Sequence, residues 1–182
     1  MADADRDDEG QNQQPEQPTS PETLLARLDA LEVTYDLHKH PPLFTVEDSK
    51  ALRGELPGGH CKNLFLKDKK GAMWLVVCLE DRSIDLKALG KALGANRLSF
   101  GSADRLMRVL GVIPGAVSPF TLINDKACEV TVILDAAMMD ISPLNYHPLS
   151  NEMTIAVTPE GLLHFIQDCG HAPQTMDLDA IT

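Results

Sequence analysis

The sequence contains no run of 18 consecutive apolar residues, so no helix in it is expected to cross a bilayer. Its first residues, MADADRDDEG, are acidic and carry no apolar segment, so no secretory signal is expected. Aromatic residues make up only 4%, which leaves the core to Leu, Val, Ile, Ala and Met. Cys61, Cys78, Cys128 and Cys169 are scattered without a C-x-x-C pair, and two of them, Cys78 and Cys128, fall in apolar runs where a thiol behaves as a small hydrophobe. A reduced, cytoplasmic setting is the expectation. Also missing are a G-x-S-x-G elbow, a P-loop, a G-x-G-x-x-G turn and an H-E-x-x-H helix, which removes the common hydrolase, nucleotide and metalloprotease templates.

Basic charge is short overall, with 16 Lys and Arg against 27 Asp and Glu. The shortage is uneven. Residues 60–110 hold ten basic and five acidic side chains, a local +5, whereas residues 1–59 and 111–182 each stand at −8. Such a patch on an acidic chain suits a limited grip on phosphates rather than the wrapping of long duplex, so no DNA partner is expected. Solvated helix faces would give the same count.

What is present reads as one domain of α+β class. Residues 1–20, polar and rich in Asp, Gln and Pro, have almost nothing to bury and are expected to form a disordered acidic tail. Ser20-Pro21-Glu22 is a helix start, followed by Leu24, Leu25, Leu28 and Leu31 at helical spacing. Residues 33–38 alternate like a strand, and 45–52 read as a short helix. Lys62 to Lys67 and Met73 to Leu79, separated by Asp68-Lys69-Lys70-Gly71, give a hairpin signal. Helices are expected at 86–93 and 103–110, strands at 130–134 and 154–157, and a closing helix at 159–169 that ends at Gly170 and Pro173. The folded domain is thus placed at 21–172, with 173–182 as a C-terminal tail.

Four features can carry chemistry, and each has a plainer reading. Lys62 opens the hairpin, either as a solvated charge or as an aimed side chain; Asn63 follows it, and alternation sends the two to opposite faces of a regular strand. The loop GVIPGAVSP, residues 111–119, can present amides to a carbonyl oxygen or can be a plain connector. His147 in NYHPLSNEMT can orient a substrate or fill a polar corner. His38 and His40 share one strand face, but no third ligand with metal-site spacing follows, so no metal is expected.

Taken in order, the block CKNLFLKDKKG, its hairpin partner, the loop GAVSP with Gly-x-x-x-Pro at Gly115 and Pro119, and NYHPLSNEMT resemble the YbaK/prolyl-tRNA synthetase editing-domain superfamily. Within it the free-standing alanyl-tRNA(Pro) deacylases, the ProXp-ala group, are the nearest match, from about Thr23 to Gly170. The resemblance implies a curved, mixed and mostly antiparallel sheet flanked by helices. It implies trans-editing: hydrolysis of the ester that joins a wrongly attached alanine to tRNA(Pro), without cofactor or metal. By that analogy Lys62 anchors the terminal adenosine, and the amides of Gly115 and Ala116 hold the aminoacyl carbonyl. Asn63 and His147 supply pocket polarity, while Leu43, Phe44, Val46, Leu64 and Pro119 shape the pocket. Lys67, Lys69, Lys70 and Arg97 would contact the acceptor stem. The implied partners are the tRNA(Pro) acceptor end and, as a second candidate, prolyl-tRNA synthetase, with no membrane. A deacylase for cysteine, serine or 2-aminobutyrate, or a non-catalytic tRNA-end binding module, are the rival readings.

Overall fold

A computed structural model describes residues 17–43 and 46–181 of the chain. In chain order the first elements are α1 (Pro21–Ala30), β1 (Tyr35–Lys39), α2 (Val46–Glu55), β2 (Gly59–Lys67), β3 (Met73–Leu79), α3 (Leu86–Ala92), β4 (Ser99–Phe100) and α4 (Ala103–Leu110). A 3-10 helix (Pro119–Asn124) follows, then β5 (Val130–Asp135), α5 (Ala136–Met139), β6 (Leu144–Tyr146), β7 (Met153–Val157), α6 (Pro159–Asp168) and β8 (Gln174–Met176). The helix starts carry the signals that the sequence shows. Ser20, Asp85, Ser102 and Thr158 each accept a first-turn N–H at the heads of α1, α3, α4 and α6, and Pro21 and Pro159 pre-set the first turn.

The strands form a mixed eight-stranded sheet in the order β1-β7-β6-β2-β3-β5-β8, with β4 also paired to β2. Antiparallel pairs join β1 to β7, β7 to β6, and β2 to both β3 and β4. Parallel pairs join β2 to β6, β3 to β5, and β5 to β8. One edge of β2 is therefore shared: Gly59 and His60 meet β6, while Leu66 and Lys67 meet β4. Between these pairings the sheet is split along Cys61–Leu64. Gly58 makes the β6 contact possible, because its φ of 102° lies in the left-handed region and a Cβ there would run into the Pro143 carbonyl.

Alternation divides the hairpin between two cores. Phe65, Met73, Leu75 and Val77 face the larger one, filled by Leu24 and Leu28 of α1, Phe120, and Phe165 of α6. Leu66, Trp74, Val76 and Cys78 face the smaller one, closed by Leu89 of α3, Leu98 and Leu178.

Two boundaries are corrected. The expected tail at 173–182 is corrected over its described residues, 173–181: β8 continues the sheet beside β5, and Leu178 is buried in the smaller core. The ordered chain also starts before residue 21, since the Thr19 N–H donates to Asn124 Oδ1 at 2.9 Å. The rest of the expected acidic tail, residues 1–16, lies outside the described residues. The expected strand at 33–38 runs instead over Tyr35–Lys39.

Leu178→Ala should lower the unfolding free energy by about 2–5 kcal/mol in urea denaturation, the cost of emptying a buried leucine site. A loss under about 0.5 kcal/mol, as at an exposed position, would restore the tail reading.

Candidate active site

The split in the sheet opens onto a cavity of about 100 Å³. Leu52 and Leu56 of α2 cover one side; Cys61 and Asn63 of β2, Asn145 and Tyr146 of β6, and His147 and Thr154 form the other. The volume is below the roughly 150 Å³ that admits benzene in an engineered apolar cavity.

The polar walls are neutral and carry unused acceptors. Asn145 is buried, and its Nδ2 donates to the carbonyls of Pro57 at 3.0 Å and Gly59 at 3.2 Å. This orients the amide, and Asn145 Oδ1 is left buried without a partner among the described residues; the same is true of Asn63 Oδ1. A buried acceptor without a donor costs roughly 1–3 kcal/mol, and both asparagines belong to the lining of this one cavity. His147 adds a third acceptor. The Met153 carbonyl, 2.9 Å away, can only accept, so it holds the proton on Nδ1 and leaves Nε2 with its lone pair. His40 is fixed in the same way: Nδ1 donates to the Pro41 carbonyl at 2.9 Å, and Nε2 accepts from the Thr154 hydroxyl at 3.0 Å. The two rings meet edge to face at 6.0 Å. Burial pushes the pKa of His147 below its ordinary value, the Met153 hydrogen bond opposes this, and His40 adds to the lowering.

Cys61 is not a nucleophile in waiting. Burial pushes its thiol up to about 12, so it is protonated at neutral pH and serves as wall. At the mouth, Arg53 of α2 pairs with Glu80, which cancels the nearest charges across the rim.

The expected site residues divide. Asn63, His147 and Leu43 line the cavity. Lys62 does not. In the regular β2 it sits opposite Cys78 and leaves by the face that carries Leu64, and its Nζ donates to the Arg82 carbonyl. Leu64 packs against the smaller core, so it is no pocket wall. The 111–119 loop also lies away from the cavity lining: Gly115 is exposed, Ala116 is buried with its N–H donated to the Ile113 carbonyl at 3.2 Å, and Pro119 is buried at the head of the 3-10 helix. The expectation of free amides at Ala116 is corrected accordingly. Phe44 lies outside the described residues, and Val46 is described only as the first residue of α2.

The four expected tRNA contacts are brought together. Asp68 accepts from the N–H groups of Lys70 at 2.8 Å and Asn96 at 3.3 Å, and the Lys69 N–H donates to the Asn96 carbonyl at 3.1 Å. This stitches the Lys67–Lys70 turn to the Asn96-Arg97 loop. Burial disfavours charge on Asp68, but the backbone N–H groups of Asn96, Ala72 and Lys70 outweigh it and hold the carboxyl below its ordinary range. Among the described residues no group of three or more His, Cys, Asp and Glu is placed to hold an ion. No helix among them is long and apolar enough to cross a membrane.

Sequence reasoning missed Asn145, Thr154 and the Leu52–Leu56 wall of α2, and it read Cys61 as a thiol that Lys62 could activate, which its burial rules against. One signal was readable. Asn145 and His147 are two apart, which puts them on one side of an extended segment.

Comparison with known proteins is consistent in fold and in kind. Residues 40–165 match the aminoacyl-tRNA editing domain family. The chain is 37% identical over 158 residues to the prolyl-tRNA editing protein ProX of Acetoanaerobium sticklandii, covering 86% of this chain and 96% of that one. It is also 37% identical over 161 residues to prolyl-tRNA synthetase associated domain-containing protein 1 of Mus musculus, covering 86% and 95%. The crystal structure of hypothetical protein APE2540 superposes with a TM-score of 0.68 at 17% identity over 85% of this chain and 97% of that one, a likeness of fold.

An NMR titration of the His147 ring should give a midpoint below the ordinary 6.5, with Nδ1 protonated in the neutral form. Because the folded-state value is depressed, the unfolded chain binds the proton first, and stability falls as pH drops below about 6.5 toward the folded-state value. His147→Gln should flatten that part of the stability profile; a midpoint at or above 6.5 would contradict the burial described.

Proposed function

The chain belongs to the aminoacyl-tRNA editing domain family, and from that premise we propose that it is a trans-acting deacylase that removes alanine mischarged on tRNA(Pro). One observation carries the amino-acid part of this reading. A cavity of about 100 Å³ is lined by Asn63 and Asn145, whose buried amide oxygens have no partner among the described residues, and by the imidazole of His147 with its proton on Nδ1. An α-ammonium group brings three N–H donors and a positive charge, and Asn63 Oδ1, Asn145 Oδ1 and His147 Nε2 are three acceptors without charge of their own. The alanine methyl then lies against Leu52, Leu56 and Cys61.

Proline is disfavoured twice. Its ring carries two more carbons than the methyl, and its secondary ammonium has two N–H donors, so one acceptor stays unmet. A missing methylene in a synthetic pocket is worth only about 1–3 kcal/mol, which is why a second site that rejects the larger residue is needed at all. An unmet acceptor adds its own cost to the wrong substrate.

The chemistry asks little of the protein. Water adds to the ester carbonyl carbon, the tetrahedral adduct collapses, and the ribose oxygen leaves with a proton, giving free alanine and tRNA. An aminoacyl ester is already reactive, so positioning is the main contribution. A cavity whose one thiol is held protonated, and whose Thr154 hydroxyl is engaged with His40, fits that requirement. His147 Nε2 positions the ammonium end in this scheme and is not assigned the water.

The basic turn gives the second half of the reading. Lys67, Lys69, Lys70 and Arg97 grip the acceptor stem through phosphates, at the other end of β2 from the cavity.

Catalytic amounts of the protein should turn over alanyl-tRNA(Pro) and leave prolyl-tRNA(Pro) intact, with seryl and cysteinyl esters as the test of rival specificity. Asn63→Leu and Asn145→Leu should each lower kcat/KM about 10- to 100-fold, the ~1.5–3 kcal/mol of a hydrogen bond to a charged group. Full activity in both variants, or equal rates on prolyl and alanyl esters, would sink the assignment. Lys67→Ala and Arg97→Ala should weaken action on alanyl-tRNA(Pro) far more than on alanyl-adenosine and reduce the salt dependence by about one phosphate contact each. Equal losses on both substrates would count against the acceptor-stem grip.

A further inference from the structure

The cations of the basic turn are unpaired among the described residues. Arg27, Arg53, Arg82 and Arg108 each pair with Asp or Glu, whereas Lys67, Lys69, Lys70 and Arg97 form no ion pair with a described residue. Lys69, Lys70 and Arg97 are exposed. The carboxylate inside the turn, Asp68, is buried and uses its oxygens on the backbone N–H groups of Lys70, Ala72 and Asn96. Lys87 and Lys91 of α3 extend the charge, since they line a groove of about 590 Å³ together with Arg97.

The same chain carries opposite charge at a matching reach. Asp3, Asp5, Asp7, Asp8 and Glu9 place five carboxylates within seven residues, with Arg6 as the one cation among them, and residues 10–15 are uncharged. The described chain begins at Gln17, which with Pro18 lines a small cavity beside Arg108, Gly111 and Lys126 at the C-terminal end of α4. Asn124 fixes the chain there: its Nδ2 donates to the Leu110 carbonyl at 3.0 Å, and its Oδ1 accepts the Thr19 N–H. The other end of α4 follows β4, where Ser99 pairs with Lys67 and the Gly101 N–H donates to the Phe65 carbonyl at 2.9 Å. Eight residues of helix span about 12 Å and the step from Ser99 to Ser102 adds at most about 10 Å, so the turn lies roughly 20 Å from Gln17. Glu9 and Asp3 are 8 and 14 residues from Gln17, and chains of that length span about 14–22 Å as a coil. The two lengths agree. Carboxylates next to Gln17 would reach only Arg108 and Lys126, and the uncharged stretch carries them past.

We propose that residues 3–9 dock on the Lys67–Lys70 turn and Arg97 of the same chain, as carboxylate stand-ins for phosphates, and are displaced when an acceptor stem binds. The proposal rests on the acceptor-stem reading of this turn and adds an internal competitor to it. Ion pairs between exposed side chains contribute about 0–1 kcal/mol each and are screened by salt, so the segment yields to a stem that brings regularly spaced phosphates. Tethering holds its local concentration near the millimolar range, enough to turn away polyanions that make fewer contacts. The amino-acid cavity, at the other end of β2, is untouched.

The test compares the wild type with a full-length variant carrying Asp3→Asn, Asp5→Asn, Asp7→Asn, Asp8→Asn and Glu9→Gln. The amide resonances of Lys67, Lys69, Lys70 and Arg97 should differ between the two at about 50 mM salt and converge near 1 M, where the Debye length is about 3 Å. The variant should bind a tRNA(Pro) acceptor-stem duplex about three- to tenfold more tightly at about 50 mM salt, as when a tethered competitor is removed, and should hydrolyse alanyl-adenosine at the wild-type rate. Unchanged resonances at the turn, or unchanged affinity for a duplex that does shift them, would overturn the proposal, as would differences confined to Thr19, Arg108 and Lys126. Differences that grow with protein concentration would assign the segment to a second copy and overturn the internal contact. A duplex that leaves the turn unmoved would remove the acceptor-stem reading and the competition with it. Failure of the wild type to hydrolyse alanyl-tRNA(Pro) would remove the deacylase reading alone, because neither the resonances nor the duplex affinity depends on turnover.

Discussion

Adjacent side chains leave a β-strand by opposite faces, and in β2 that single constraint distributes the chemistry of the protein. Cys61 and Asn63 point to the cavity, whereas Lys62 and Leu64 point to the smaller core and the Arg82 loop. The rule matters here because the edge of β2 is split between β6 and β4. A continuous sheet would cover residues 61–64 with another strand and leave no opening. A slip of one residue would put an ammonium group in the cavity and an amide in the core. Seven consecutive register pairs with β3 hold the strand against such a slip.

The cavity's electrostatics follow from what is absent around it. A buried carboxylate would bind an ammonium group strongly but would carry a large desolvation penalty while empty. Two amides and a neutral imidazole offer the same acceptors at lower cost, and the empty site stays foldable. His147 Nε2 can accept only while the ring is unprotonated, the form its burial favours, with the proton held on Nδ1 by the Met153 carbonyl. The charges that do come near, Arg53 and Glu80, neutralise each other at the rim.

Much of the fold was legible because its signals are local. The caps at Ser20, Asp85, Ser102 and Thr158 and the lysine-rich turn after β2 each depend on a few neighbouring residues. β6 and β8 were not legible. Each has only three residues, and each exists because a distant strand offers it a parallel edge, which no local pattern encodes. The site shows the same division. Asn63 and His147 could be picked out beside their motifs, but Asn145 becomes an acceptor in the cavity only after Pro57 and Gly59 have taken its amide hydrogens. Lys62 shows what a strand's period can tell: it sends Lys62 and Asn63 to opposite faces, so the two do not share the cavity, whatever role the resemblance implies for the lysine.

Under the deacylase proposal, a lysine turned from the cavity leaves the acceptors of Asn63, Asn145 and His147 to the substrate. Specificity for a small residue needs a dry, neutral cavity, and a long cation inside it would compete with the substrate's own ammonium group for the same acceptors. Separating the two by one strand position removes that competition. The ammonium of Lys62 is instead satisfied at the Arg82 carbonyl, where a buried carboxylate, Asp135, and Asp179, which follows β8, hold the arginine from two sides. The cavity lining and the fixation of the neighbouring loop thus use opposite faces of the same strand, and a substitution at one can leave the other in place.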